Sequence, residues 1–69
     1  MYFEKQTRYY SLKIQQDLFS DWLLIREYGR IGNKGGQTKI KPYQTKSEAL
    51  QELEKEALKR VKRDYLRVA

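Results

Sequence analysis

The chain has 69 residues, neither cysteine nor histidine, and fifteen basic against nine acidic side chains, for a formal net charge of +6. This inventory excludes disulfides, thiolate metal sites and histidine-based catalysis, and so short a chain has little room for a deep active site. The basic balance favours a polyanionic partner, such as nucleic acid or an acidic membrane surface.

Length and hydropathy also set expectations for organisation and location. The length predicts one domain over residues 1–69. Residues 1–6 are expected to form a short polar segment that frays at the amino terminus. No apolar run approaches the roughly 20 residues needed to cross a bilayer, and the amino terminus lacks a signal-peptide core. We therefore expect a cytoplasmic, non-enzymatic protein with no cofactor and no membrane partner, and the sequence leaves its oligomeric state open.

The first two predicted strands follow this segment and differ in pattern. Residues 8–15 alternate as a half-buried strand does, and one face carries Tyr10, Leu12 and Ile14. A hairpin connection is predicted over 16–21, where aspartate and serine cluster. Residues 22–28 are apolar on both faces, which is typical of a central strand, and Trp22 is expected in the core.

A third strand is predicted over 37–43, after a tight turn at 33–36. Asparagine and glycine tolerate the positive φ that such turns require. Pro42 suits an edge strand or a strand end because it cannot donate to a ladder. Alternation places Lys39 and Lys41 on one face as a basic stripe, with Thr38 and Ile40 toward the core.

The hydrophobic period then changes to that of a helix. Thr45 with Glu48 matches a capping box, and Ser47 is the alternative cap. Apolar residues recur three and four apart at Leu50, Leu53, Ala57, Val61 and Tyr65, widened by Ala49 and Leu58. This stripe predicts an amphipathic helix of about eighteen residues, on which Glu56 and Arg60 are spaced to pair. The fold class is α+β, a small antiparallel sheet packed by one carboxy-terminal helix.

The segment between the second and third strands is the strongest candidate for function. It reads Tyr28-Gly29-Arg30-Ile31-Gly32-Asn33-Lys34-Gly35-Gly36-Gln37. Glycines let the backbone turn sharply and approach a ligand closely, and successive backbone N–H groups in such turns form anion-binding concavities. An arginine and a lysine beside the turn are suited to hold an anion.

This segment and its flanks resemble the WGR domain family, named for a Trp-Gly-Arg tripeptide. Gly29-Arg30-Ile31-Gly32, then Gly35 or Gly36 before Gln37, is similar to the family's Gly-Arg-[Ile/Val]-Gly-x-x-Gly-Gln core. Further matches in the same order are Tyr10 in the first strand, Thr38-Lys39-Ile40-Lys41, Glu48-Ala49-Leu50 and the closing Lys62-Arg63-Asp64-Tyr65.

The resemblance implies a DNA-binding module like those of DNA-damage-responsive poly(ADP-ribose) polymerases, which bind breaks near the 5′ terminus. It puts Tyr28 where the family's aromatic packs on a terminal sugar or base. Arg30 takes the role of the arginine that holds the backbone or a neighbouring domain. The candidate nucleic-acid-binding residues are Tyr28, Arg30, Lys34, Gln37, Lys39, Lys41, Lys62 and Arg63.

Three departures from the family pattern affect these assignments. Tyr28 replaces the tryptophan, Thr7 stands where many members have asparagine, and Asp64 stands where glycine is usual. Two roles also have structural alternatives. Arg30 is spaced to pair with Glu27, and Tyr28 shares its strand parity with apolar residues that face a core, although the resemblance favours an exposed position.

Three functions follow as hypotheses. The leading one is binding of duplex DNA or its ends, in which Arg30, Lys39, Lys41 and Lys62 neutralise about four phosphates, for a log–log salt slope near −3.6. The second is a protein-interaction adaptor that uses the same aromatic-arginine face, because both residue types are enriched at interface hot spots. The third is an RNA or single-strand binder that stacks bases on tyrosines.

Overall fold

The computed structural model describes residues 1–69 as five strands and one helix. In chain order these are β1 Tyr2–Lys5, β2 Arg8–Gln16, β3 Trp22–Arg30, β4 Gln37–Tyr43, α1 Lys46–Lys62 and β5 Leu66–Arg67. The strands form one antiparallel sheet in the order β4-β3-β2-β1-β5. The predicted α+β class, a small antiparallel sheet with one carboxy-terminal helix, is confirmed.

Strands β2, β3 and β4 and helix α1 match the predicted elements, whereas β1 and β5 were not predicted. The reading of 1–6 as a fraying segment is wrong for residues 2–5, because β1 pairs with both β2 and β5. Phe3 anchors it and is only 1% exposed. One buried aromatic in a short polar segment gives no periodic signal, so only the tertiary pairing reveals this strand.

Helix α1 covers one face of the sheet, here called the helix-packed face. Tyr10, Leu12 and Ile14 of β2 lie on it, opposite Tyr28, Arg26 and Leu24 of β3. The buried core joins this face to the helix and consists of Phe3, Tyr10, Leu12, Leu24 and Leu53. The other side, which no helix covers, is called the open face.

Two predictions about the sheet faces are wrong. The register places Lys39 opposite Arg26, on the helix-packed face. Its neighbours Thr38 and Ile40 therefore lie on the open face, and Ile40 is 57% exposed. Residues 37–42 of the edge strand β4 are exposed on both faces, so the alternation of polar and apolar residues does not report which face the helix packs on. Trp22 is half-buried and outside the core cluster, and the Lys46 ammonium lies 5.4 Å from its ring centroid.

The amino terminus of α1 is capped by Thr45, one of the two caps that the sequence predicted. The Thr45 hydroxyl accepts a hydrogen bond from the Glu48 backbone N–H at 3.2 Å. The helix buries a narrower stripe than predicted. Ala49 and Leu53 are buried, whereas Leu50, Leu58 and Val61 are 39%, 54% and 54% exposed. No helix in the protein is long and apolar enough to cross a membrane.

Candidate nucleic-acid interface

A groove of about 570 Å³ opens on the helix-packed face, at the end of the sheet where β3 meets the glycine-rich loop. Its walls come from the paired ends of β2 and β3, the start of β4, the loop over 33–35 and the last turn of α1. We call it the basic groove, because six cationic side chains line it: Arg8, Arg26, Arg30, Lys39, Arg60 and Arg63.

The basic groove carries a large uncompensated positive charge. None of its lining residues is acidic. Among the six cations only Arg26 has a salt-bridge partner, the Glu56 carboxylate at 3.6 Å, which leaves five without one. Glu27, the alternative partner of Arg30, instead lies 3.9 Å from the Lys13 ammonium. Arg30 is therefore an exposed, unpaired cation at the groove entrance.

Tyr28 forms part of the groove wall, where two contacts hold its ring. Its ring stacks on Tyr10 across the strand pair, with centroids 5.4 Å apart and planes 10° from parallel. Its hydroxyl donates a hydrogen bond to the Gln37 side-chain oxygen at 2.9 Å. The residue is half-buried, between the exposed and buried alternatives. These two contacts orient the ring along the groove wall.

Arg60 crosses from the helix to the floor of the groove. Its guanidinium carbon lies 4.2 Å from the Tyr10 ring centroid and 5.7 Å from that of Tyr65, distances typical of cation–π contact. Its buried Nε has no hydrogen-bond partner. The predicted Glu56–Arg60 pair is wrong, because Glu56 lies 3.6 Å from Arg26 and 3.5 Å from Lys59.

Two glycines bring the loop against the sheet. A Cβ on Gly29 would lie 2.9 Å from the Gly36 Cα, and one on Gly36 would collide with the Tyr9 hydroxyl and meet the Tyr28 carbonyl oxygen at 3.0 Å. Tyr9 is held in turn by stacking on Tyr2, with centroids 6.1 Å apart. Desolvation, followed by a hydrogen bond to Glu4, raises the pKa of the Tyr2 phenol.

The loop makes its sharp turn earlier than the sequence indicated. Gly32 has φ +86°, and neither Asn33 nor the glycines at 35 and 36 have positive φ. The Ile31 N–H donates to the Thr7 carbonyl at 2.7 Å, which ties the loop to the β1–β2 turn. Of the two later glycines, Gly36 thus serves close packing of the loop on the sheet, whereas Gly35 has open space around it.

The structure brings five of the eight candidate residues together. The basic groove is lined by Tyr28, Arg30, Gln37, Lys39 and Arg63. The other three lie outside it. Lys34 is exposed at the loop tip, Lys62 is exposed on α1, and Lys41 borders a separate small cavity, with its ammonium 5.5 Å from the Tyr43 ring centroid.

Comparison with known families identifies the chain. The WGR domain profile matches residues 2–69, which is essentially the whole sequence. The chain belongs to the WGR family. WGR domains are binding modules rather than catalytic domains, and they are associated with nucleic-acid binding in proteins related to poly(ADP-ribose) polymerases. Neither the curated proteins nor the solved structures contain a match to this chain.

Two departures from the WGR pattern have structural counterparts. Tyr28, in place of tryptophan, donates a hydrogen bond to Gln37 from its hydroxyl, a group that tryptophan lacks. Asp64, in place of glycine, has φ +67°, in the left-handed region that favours glycine. Glycine adopts this conformation without the steric cost that aspartate bears there.

Sequence reasoning missed several residues of this WGR groove. Five of them come from separate parts of the chain: Arg8, Tyr10, Arg26, Arg60 and Tyr65. Strand parity was an available signal, because Arg8 and Arg26 share faces with Tyr10 and Tyr28 in the alternating pattern. Arg60 gave no comparable signal, since its spacing from Glu56 pointed to a surface ion pair instead.

Proposed function

We propose that this WGR domain is a non-enzymatic module that binds duplex DNA, with a preference for its ends, through the basic groove. The observation that carries the proposal is the groove's composition. It holds five cations without acidic partners, no carboxylate, and a tyrosine fixed in its wall. Such a positively charged concavity attracts polyanions, and its attraction for phosphates weakens with added salt.

The proposed mechanism combines phosphate neutralisation with packing on an exposed terminus. Arg30, Lys39 and Arg63 surround the groove and contact successive phosphates, while Arg60 supplies charge from the floor. Tyr28 packs on a terminal sugar or base that an uninterrupted duplex does not expose. Because these contacts touch backbone and shape rather than base edges, binding is expected to carry little base-sequence preference.

Salt dependence is the first test. Five unpaired cations in the groove predict about five neutralised phosphates and a log–log slope near −4.5, steeper than the slope expected from four contacts. Fluorescence anisotropy on a short blunt duplex over a salt series measures this slope directly. A slope near zero would falsify the phosphate mechanism.

Substitutions in the groove form the second test. Tyr28→Ala and Arg60→Gln are each expected to weaken binding about tenfold or more, because each removes a groove contact worth roughly 1.5 kcal/mol. Arg67→Gln is the matched control, since Arg67 is exposed outside the groove and its Nε donates to the Ala69 carbonyl. Equal losses for all three variants contradict a specific groove.

End preference is tested with probes of one sequence. A blunt duplex with and without a 5′ phosphate is compared with a duplex whose ends are closed by hairpin loops, and with single-stranded DNA and RNA. The proposal expects open ends to bind best and Tyr28→Ala to remove most of that advantage. Identical affinities of the wild-type protein for open and closed duplexes contradict end recognition.

The adaptor hypothesis for the same face makes opposite predictions. It expects no shift of any nucleic-acid probe and a protein complex that resists added salt. No aliphatic side chain lines the groove, and its only hydrophobic side chains are tyrosines among polar and charged groups. Its composition therefore favours a charged polymer over an apolar protein surface.

A further inference from the structure

We propose that a second copy of this chain docks antiparallel on the outer side of α1 to form a symmetric dimer. The contact surface, here called the outer stripe, consists of Leu50, Glu54, Leu58 and Val61. These residues are spaced four, four and three apart, so they follow one line along the helix. All four are exposed.

Three of the four residues in the outer stripe have apolar side chains that the fold leaves exposed. Leu50, Leu58 and Val61 are 39%, 54% and 54% exposed and lie beside the buried stripe of Ala49 and Leu53. Burial of these three side chains against another helix removes apolar surface from water, which favours association. The stripe also spans most of the helix, so a partner helix of similar length fits along it.

Charges beside the stripe select a second copy as the partner, in antiparallel orientation. Glu48, Lys55 and Lys62 are spaced seven apart and form a line next to the stripe. Neither Glu48 nor Lys62 has a salt-bridge partner within the chain. In an antiparallel pair, Glu48 of one copy faces Lys62 of the other, and the two-fold axis repeats the pair at the opposite end.

The centre of the helix is the point of possible repulsion, because Lys55 approaches its own symmetry mate there. Two acidic groups reduce this repulsion. Lys55 already lies 3.5 Å from the Glu52 carboxylate in its own chain. Glu54, next in sequence and unpaired, faces the Lys55 of the second copy across the axis. Like charges therefore meet at the centre only alongside compensating carboxylates.

The dimer leaves the basic groove free. Arg60, on a different side of α1, points to the sheet and stacks over Tyr10, and the groove lies on that side. The proposal consequently does not depend on what the groove binds. Its test uses the protein alone, so that failure of the dimer and failure of nucleic-acid binding are observed separately.

The test is sedimentation equilibrium of the full chain across concentrations from about 10 µM to about 1 mM, a range in which weak dimers are detected. The wild-type protein is expected to shift from monomer to dimer in this range. Glu48→Lys and Lys62→Glu are each expected to raise the dissociation constant about tenfold, because each turns two attractive contacts into repulsive ones. The double variant, which swaps both charges, is expected to restore the wild-type value.

A matched pair of apolar substitutions identifies the surface. Leu58→Thr is expected to abolish dimer formation. Ile40 is similarly exposed, at 57% against 54% for Leu58, but it lies on the open face of the sheet, so Ile40→Thr is expected to leave dimer formation unchanged. Both sites are exposed, so circular dichroism is expected to show intact folding. A wild-type chain that stays monomeric, a double variant that fails to recover, or association sensitive to Ile40→Thr but not Leu58→Thr overturns the proposal.

Discussion

Single residues decide how closely the glycine-rich loop approaches the sheet. The Gly36 Cα excludes a side chain on Gly29, and the Tyr9 hydroxyl and the Tyr28 carbonyl oxygen exclude one on Gly36. Gly35 has open space around the position of a Cβ. The two adjacent glycines at 35 and 36 are therefore unequal, although they look alike in the sequence.

Substitution of these two glycines tests that difference. Gly36→Ala is expected to lower the free energy of unfolding by about 1–3 kcal/mol, the usual range for overpacking, because Tyr9 is held by Tyr2 and cannot move freely aside. Gly35→Ala, the control, is expected to change it by less than about 1 kcal/mol. Urea denaturation of both variants measures the two values, and similar losses would contradict the packing argument.

At the scale of elements, two backbone hydrogen bonds define where α1 ends. The Tyr65 N–H donates to the Arg60 carbonyl at 3.0 Å, and the Asp64 N–H donates to the Val61 carbonyl at 3.1 Å. These two bonds form a Schellman motif, which requires a left-handed residue at position 64. The motif orients Arg60, Arg63 and Tyr65 toward the basic groove.

Asp64→Gly is expected to stabilise the protein by roughly 0.5–1 kcal/mol, because glycine adopts the left-handed region without the steric cost that aspartate bears. Gln51→Gly in the exposed middle of α1 is the control and is expected to cost about 1 kcal/mol. Thermal and urea unfolding give both values. If Asp64→Gly destabilises the protein as Gln51→Gly does, the backbone at Asp64 is not strained.

The β2–β3 turn shows a second self-contained element. The Asp17 carboxylate accepts hydrogen bonds from the backbone N–H groups of Phe19 and Asp21 at 2.8 and 2.9 Å. Leu18 and Phe19 project from this turn at 98% and 85% exposure. Its position at the end of the sheet opposite the groove follows from the register, in which Gln16 pairs with Trp22 and Arg8 with Arg30.

At the scale of the whole molecule, six of the fifteen basic side chains line one groove at one end of the sheet. The cations that line the groove come from β2, β3, β4 and α1, so the folded sheet converts a moderate net charge into a strong local field. The chain has no histidine, the side chain whose charge ordinarily changes between about pH 5 and 8.

Affinity for DNA is therefore expected to stay constant within about twofold between roughly pH 6 and 8 at fixed salt, because no histidine titrates in that interval. Anisotropy titrations at several pH values and constant ionic strength measure this. A change of tenfold or more would reveal a titrating group in the groove and would contradict the assignment of permanently charged contacts.

The sequence by itself determined the type of most elements, narrowed the helix cap to Thr45 or Ser47, and singled out the Tyr28–Gln37 segment, several residues of which line the groove. Those features depend on neighbours a few residues apart, through alternation in strands, three-and-four spacing in the helix, and the backbone freedom of glycine. Only the tertiary structure decided that β1 and β5 complete the sheet, that Arg60 stacks on Tyr10 instead of pairing with Glu56, and that Lys62 lies outside the groove. The physical reason is that these outcomes depend on strand register and side-chain packing between residues far apart in the chain, which no local pattern encodes.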